Sequence, residues 1–251
     1  MTGLAVLLRK ELLEQWRTLR LPIVAGLFLV AGIGSPLLAR YTPELIEALA
    51  GDLGIPIPEP TMADAVDQLL KNLVQFGGIA AILLAMGTVA TEKERGTAAL
   101  ILTKPADRGA FLAAKVIALA ATLGIATGLA VAAGWIYTAI LFETPSAGGF
   151  AALALRLWLS LFSYAAITFV ASTVTGSAMA AAGIGVLAFI GLAIVSALPN
   201  IGEYLPPGLG TPAHELGLGG TPEVIGPVLA VVALIAIVLA AAWASFRRQE
   251  L

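Results

Sequence analysis

Apolar residues in this chain run in long blocks separated by short polar stretches. Six blocks stand out: about Leu21 to Ala39, Leu73 to Ala90, Phe111 to Phe142, Phe150 to Thr173, Ala178 to Leu198, and Val224 to Ser245. A helix needs about 20 apolar residues to cross a hydrocarbon core about 30 Å thick. The pattern therefore predicts an all-α polytopic membrane protein whose six spans form a single transmembrane domain over residues 1–251. The third block exceeds one crossing, so it is expected to tilt, kink or continue beyond the bilayer. Only Val174-Thr175-Gly176-Ser177 separates the fourth block from the fifth, which predicts a tight turn.

Ahead of the first span, residues 1–20 mix apolar and charged positions at helical spacing. Leu4, Leu8, Leu12, Trp16 and Leu19 share one stripe, with Arg9, Lys10, Glu14, Arg17 and Arg20 largely off it. That pattern predicts an interfacial helix with its basic side toward lipid headgroups or a partner. A basic flank that only orients the first span fits the same residues.

The chain is 59% hydrophobic and 12% charged, with no cysteine. Disulfides and thiolate metal sites are thereby excluded. No small-residue cleavage site follows the first apolar run, so a cleaved signal peptide is not expected. With a cytoplasmic N-terminus and six crossings, eleven of the fourteen Lys and Arg residues fall on the cytoplasmic side. Only Arg40, Lys71 and Arg156 lie opposite, where the acidic residues concentrate. This asymmetry predicts a multi-pass protein of the cytoplasmic (inner) membrane with both termini inside. Two external segments have substance. Arg40 to Asn72 holds a Pro-rich turn, followed from Met62 by residues able to begin a helix continuous with the second span. Pro199 to Pro222 is rich in Gly and Pro yet keeps Leu205, Leu209, Leu216 and Leu218, fitting either a partly re-entrant cap or open coil.

Ion-coupled carriers keep ionisable residues deep within their helices. Here no Asp, Glu or His lies mid-span, and Lys115 and Arg156 sit near span ends, where snorkelling to an interface is expected. The hydroxyls within the spans, together with Gly124 and Gly128, read as helix-packing residues. His214 is the lone histidine and has no second imidazole beside it, so neither a catalytic nor a metal site is expected. A glycine-rich phosphate loop is absent as well, so the chain is not expected to be an enzyme or to bind a cofactor.

The charges gather between the second and third spans, in TEKERGTAALILTKPADRGAFLAAK, Thr91 to Lys115. Glu92, Lys93, Glu94 and Arg95 leave the membrane and Gly96 is suited to stop the helix in a left-handed conformation. Thr97 is placed to cap a short apolar helix through Leu100, Ile101 and Leu102 that ends at Pro105. Asp107 then caps the next helix, with Arg108 in its first turn.

Glu92-x-Glu94-Arg95-Gly96-Thr97, a turn containing Leu100, then Pro105, Arg108 and Lys115, resembles the type-2 ABC exporter permeases. The basic N-terminal helix and six-span layout extend that likeness over essentially the whole chain. Ala114-Lys115 stands where many family members have Gly-Lys. The resemblance implies a permease half that pairs with a second copy or a homologous half and docks separate ABC ATPase subunits. ATP and Mg would be bound in those subunits, and no nucleic acid is implied. The hairpin would act as the coupling helix: Glu92, Glu94, Arg95 and Thr97 making polar contacts, Leu100 to Leu102 packing in the ATPase groove, and Gly96, Pro105 and Arg108 shaping the turn. The N-terminal helix, through Arg9, Lys10, Glu14, Trp16 and Arg17, would contact the ATPase too. Export of an unidentified substrate is the function this implies. An ATP-driven assembly role toward extracytoplasmic proteins, such as metalloenzyme maturation, is the alternative.

Overall fold

The computed structural model describes residues 2–50, 58–96, 108–221 and 225–249, and no strand occurs among them. The helices are α1 (Thr2–Arg17), α2 (Arg20–Ala50), α3 (Met62–Met86), α4 (Ala90–Glu94), α5 (Arg108–Leu141), α6 (Ala147–Thr175), α7 (Ala178–Val195), α8 (Gly210–Gly217) and α9 (Ile225–Arg247). Six stretches are long and apolar enough to cross a membrane, with α3 and α4 counting as one. The chain is thus an all-α polytopic membrane protein.

Helix α6 lies at the centre, packed against α3, α5, α7 and α9. Two-thirds of its apolar window is buried, through Leu153, Leu161, Tyr164 and Phe169 among others, whereas α7 and α9 bury 11% and 17% of theirs. The latter two therefore offer their apolar surface outward, to lipid or to another protein. Helix α5 is a single 34-residue element, about 51 Å long, and must extend beyond a 30 Å core.

Several expectations meet their local structure. Thr61 caps α3 in a reciprocal capping box with Asp64, so a helix does begin at Met62 and continue into the second span. Gly176 takes φ +64 after α6, and the Ser177 side chain accepts the N–H of Ala180 to open α7. Gly96 adopts φ +69, a conformation that favours glycine. Of the Gly- and Pro-rich segment, residues 199–221 are described and folded: two 3₁₀ turns lead into α8, Leu209 and Ala213 are buried, and Ser160 donates to the Pro206 carbonyl at 2.8 Å. His214 Nδ1 lies 2.9 Å from Asp67 Oδ1, where this cap meets α3.

Others are revised. The first span does not end at Ala39, because α2 runs to Ala50 through Pro36 and Pro43. Proline is tolerated within membrane helices where neighbours satisfy the freed backbone groups. Of the pair read as packing residues, Gly124 lies against the Trp158 side chain of α6 and Gly128 does not. A Cβ on Gly128 would meet nothing within 4 Å, whereas one on Gly32 would lie 2.3 Å from the Ala130 carbonyl oxygen. Gly32 is therefore where α2 and α5 touch backbone to backbone. Arg156 does not snorkel but is buried in α6, its Nη1 without a hydrogen-bond partner among the described residues.

Candidate coupling site at the basic end of the bundle

Helix α1 packs on α5 with Leu7, Glu11 and Gln15 inward, a face at i, i+4 and i+8. Of the apolar stripe, Trp16, at 61%, and Leu19 are exposed, while Leu4, Leu8 and Leu12 are half-buried. A polar seam of Glu11 and Gln15 thus packs against protein, while Arg9, Arg17 and part of the apolar stripe are left outward. The reason lies in the partner, because α5 presents Lys115 and Thr122 to α1.

Lys115 is 2% exposed, so it too does not snorkel. Its ammonium donates to Glu11 Oε1 at 3.0 Å and to Glu92 Oε1 at 2.9 Å. Lys10 reaches the same two oxygens at 3.1 and 3.0 Å, and Glu14 at 3.4 Å. Two turns along α5, Thr122 Oγ1 donates to Gln15 Oε1. Helix α1, the exit of the second span and the start of the third are thereby joined by one ion-pair cluster. Burial draws the Lys10 pKa down, but the Glu11 and Glu92 carboxylates outweigh it and hold the ammonium above its ordinary value. Glu11, Glu14 and Glu92 bring oxygens within 4.8 Å of one another, a spacing that also suits a cation. The two lysine ammoniums already serve those oxygens.

Helix α4 is short because α3 breaks at Gly87. Ser172 of α6 repairs the break, its hydroxyl accepting the N–H groups of Val89 and Ala90 at 3.2 and 3.0 Å. From α4, each successive charge engages a different element. Glu92 joins α1 and α5. Lys93 donates to the Thr173 carbonyl at the end of α6 and to the Gln249 side chain after α9. Glu94 accepts the N–H of Ala178 at 3.2 Å, placing a carboxylate at the N-terminus of α7. Arg95 is exposed and bonds to no described residue. Beneath these, Phe111 and Phe246 stack at 5.7 Å, with Lys115 5.0 Å over the first ring and Lys93 5.8 Å over the second.

Arg108 opens α5 as expected, but its side chain turns to the last helix. It donates to the carbonyls of Phe246, Arg247 and Gln249 at 3.4, 3.2 and 2.9 Å, closing the C-terminus of α9. Thr97, Leu100, Ile101, Leu102, Pro105 and Asp107 lie outside the described residues. Of the N-terminal residues named from sequence, Arg9 and Arg17 are exposed, while Lys10 and Glu14 belong to the cluster. The residues not singled out are Glu11, Gln15, Ser172 and Gln249. Their spacing in sequence carries one clue, the Leu7-Glu11-Gln15 register, which marks a polar seam on an otherwise amphipathic helix.

Fold and site together define a polytopic, all-helical membrane protein whose N-terminal helix is tied to a charged elbow after the second span. Over residues 5–214 the sequence matches the model of the ABC-2 family transporter proteins, and the chain belongs to that family. It is 31% identical to the uncharacterized transmembrane protein YxlG of Bacillus subtilis (strain 168) across 234 residues, 88% of this chain and 87% of the relative. Residues 5–214 include Lys10, Glu11, Glu14, Glu92 and Lys115, so the ion-pair cluster lies wholly within the family match.

Proposed function

We propose that this chain is the permease subunit of an ATP-driven exporter, working as a pair of membrane halves on separate ATPase subunits at the cytoplasmic face. The observation that carries this reading is the division of labour on α4. Glu92, Lys93 and Glu94 are tied to α1, α5, α6 and α7 and to the segment after α9, while Arg95 faces outward. A push on the elbow is thus passed to nearly every span through short, charge-assisted bonds. Arg95, with Gly96 and the hairpin beyond it, is left as the contact to an acidic feature of the ATPase. ATP-driven closure of the ATPases would then shift the paired halves between two packed arrangements.

The test is co-purification with the ATPase encoded alongside the chain, scored for complex recovery and for ATP hydrolysis. Arg95→Ala lowers recovery of the ATPase. Glu92→Gln leaves recovery near normal but uncouples hydrolysis from the membrane subunit, because it weakens the joint behind the contact. Wild-type recovery and wild-type hydrolysis in both variants would falsify the coupling role.

A further inference from the structure

Two cavities meet where α1 turns into α2. One, about 580 Å³, is polar and is lined by Lys10, Glu11, Arg20, Glu92, Arg95 and Lys115, among others. The other, about 400 Å³, is an apolar groove between α2 and α3, lined by Ile23, Leu27, Phe76, Ile79 and Leu83. Thr18, Arg20, Gly87 and Thr91 line both, so the polar chamber and the apolar groove adjoin. In the polar chamber the lysines are already committed to the glutamates. Arg20 and Arg95 bond to no described residue. The chamber therefore keeps free positive charge at its mouth.

The groove has the dimensions of one leaflet. From Gly87 to Phe76 along α3 is eleven residues, about 16 Å of helix. That is about half of a 30 Å hydrocarbon core. We propose that these adjoining cavities bind an anionic phospholipid of the adjacent leaflet. Its phosphate is held at Arg20 beside the hydroxyls of Thr18 and Thr91, and one acyl chain lies along Ile23, Leu27, Phe76, Ile79 and Leu83. Charge complementarity selects the headgroup, because an unpaired guanidinium offers a phosphate two parallel donors. A lipid seated there touches α1, α2, α3 and the start of α4 together, the same joint the ion-pair cluster holds. The proposal deepens the permease reading by giving its coupling joint a lipid ligand, and it is tested on binding alone.

Native mass spectrometry of the detergent-purified chain, offered equal amounts of phosphatidylglycerol and phosphatidylcholine, measures the preference directly. Wild type is expected to retain phosphatidylglycerol roughly fivefold or more over phosphatidylcholine, and Arg20→Gln to bring the two near parity. Arg17→Gln removes an equal charge close by but lines neither chamber, and keeps the preference. Ile79→Trp, which fills the groove, lowers retention of both lipids, and added inorganic phosphate does not displace the bound lipid. Three outcomes overturn the proposal: equal retention of the two lipids by wild type, an Arg17→Gln loss as large as that of Arg20→Gln, or displacement by free phosphate. Arg20 stands on α2 apart from the docking contact, so failure here leaves the Arg95 test standing, and the reverse also holds.

Discussion

Lys115 shows how much one side chain can decide in an apolar chain. An ammonium taken out of water costs several kcal/mol unless partners surround it, and here two carboxylates do so from helices far apart in sequence. Removing one member of such a group leaves the others buried and uncompensated. Lys115→Met is therefore expected to destabilise the fold by roughly 3–5 kcal/mol, read as a lowered unfolding midpoint in detergent. Adding Glu11→Gln to that variant relieves part of the loss, and strictly additive effects would show that the two do not interact. The pH response follows from Lys10. Its pKa is raised in the fold, so its contribution is whole below the ordinary lysine value of 10.5 and is lost only as pH climbs through the raised one. A thermal midpoint that fell between neutral pH and pH about 9, and did so less in Lys10→Met, would contradict this. The sequence disclosed these charges but not their pairing. Lys115 near a span end reads as a snorkelling residue because its partner Glu11 is 104 positions away, on a helix whose polar seam hydropathy hides.

Among the elements, the spans were legible because each is an apolar run of membrane length, and the turns at Gly96 and Gly176 because glycine is suited to positive φ. The extension of α2 past Ala39 was not, since in water a proline such as Pro43 marks a helix end. Nor was the α2–α5 contact. Small residues mark possible close approach, but which of them is used depends on how two helices cross: Gly32 meets the Ala130 backbone, Gly124 meets only the Trp158 side chain, and Gly128 meets nothing. Gly32→Ala is expected to cost about 1–3 kcal/mol, because its methyl group would meet the Ala130 backbone rather than a movable side chain. A matched Gly128→Ala change, facing open space, should leave the unfolding midpoint near wild type. Arg108 closes the end of α9 from the start of α5. Arg108→Ala should fray that end, seen as faster tryptic cleavage at Arg247 and Arg248 without loss of the overall fold. Equal cleavage rates would mean that the three carbonyl contacts contribute nothing to holding the segment.

At the scale of the molecule, three distant parts of the chain converge on one end of the bundle. Lys10 of α1 reaches Glu92, Lys93 reaches Gln249, and Arg108 reaches the carbonyls after α9. The N-terminal helix, the elbow between the second and third spans, and the C-terminal residues therefore share a side, as an even number of crossings requires. The cap joins Asp67 to His214 away from that cluster. The bias of Lys and Arg predicts that the first end is cytoplasmic, and the chain lends itself to a direct test because it has no native cysteine. Arg248→Cys and Glu215→Cys each place one thiol at an exposed position, on the segment after α9 and on the cap respectively. In intact cells a membrane-impermeant maleimide should label position 215 and spare 248, and permeabilisation should expose both. Labelling of 248 in intact cells would reverse the orientation. It would put the elbow outside, where no ATP-hydrolysing subunit could drive it, while labelling of both sites would break the six-crossing topology itself. The convergence of charges would then be a structural clasp only, so this measurement decides whether the joint described at residue scale can serve as a point of energy input.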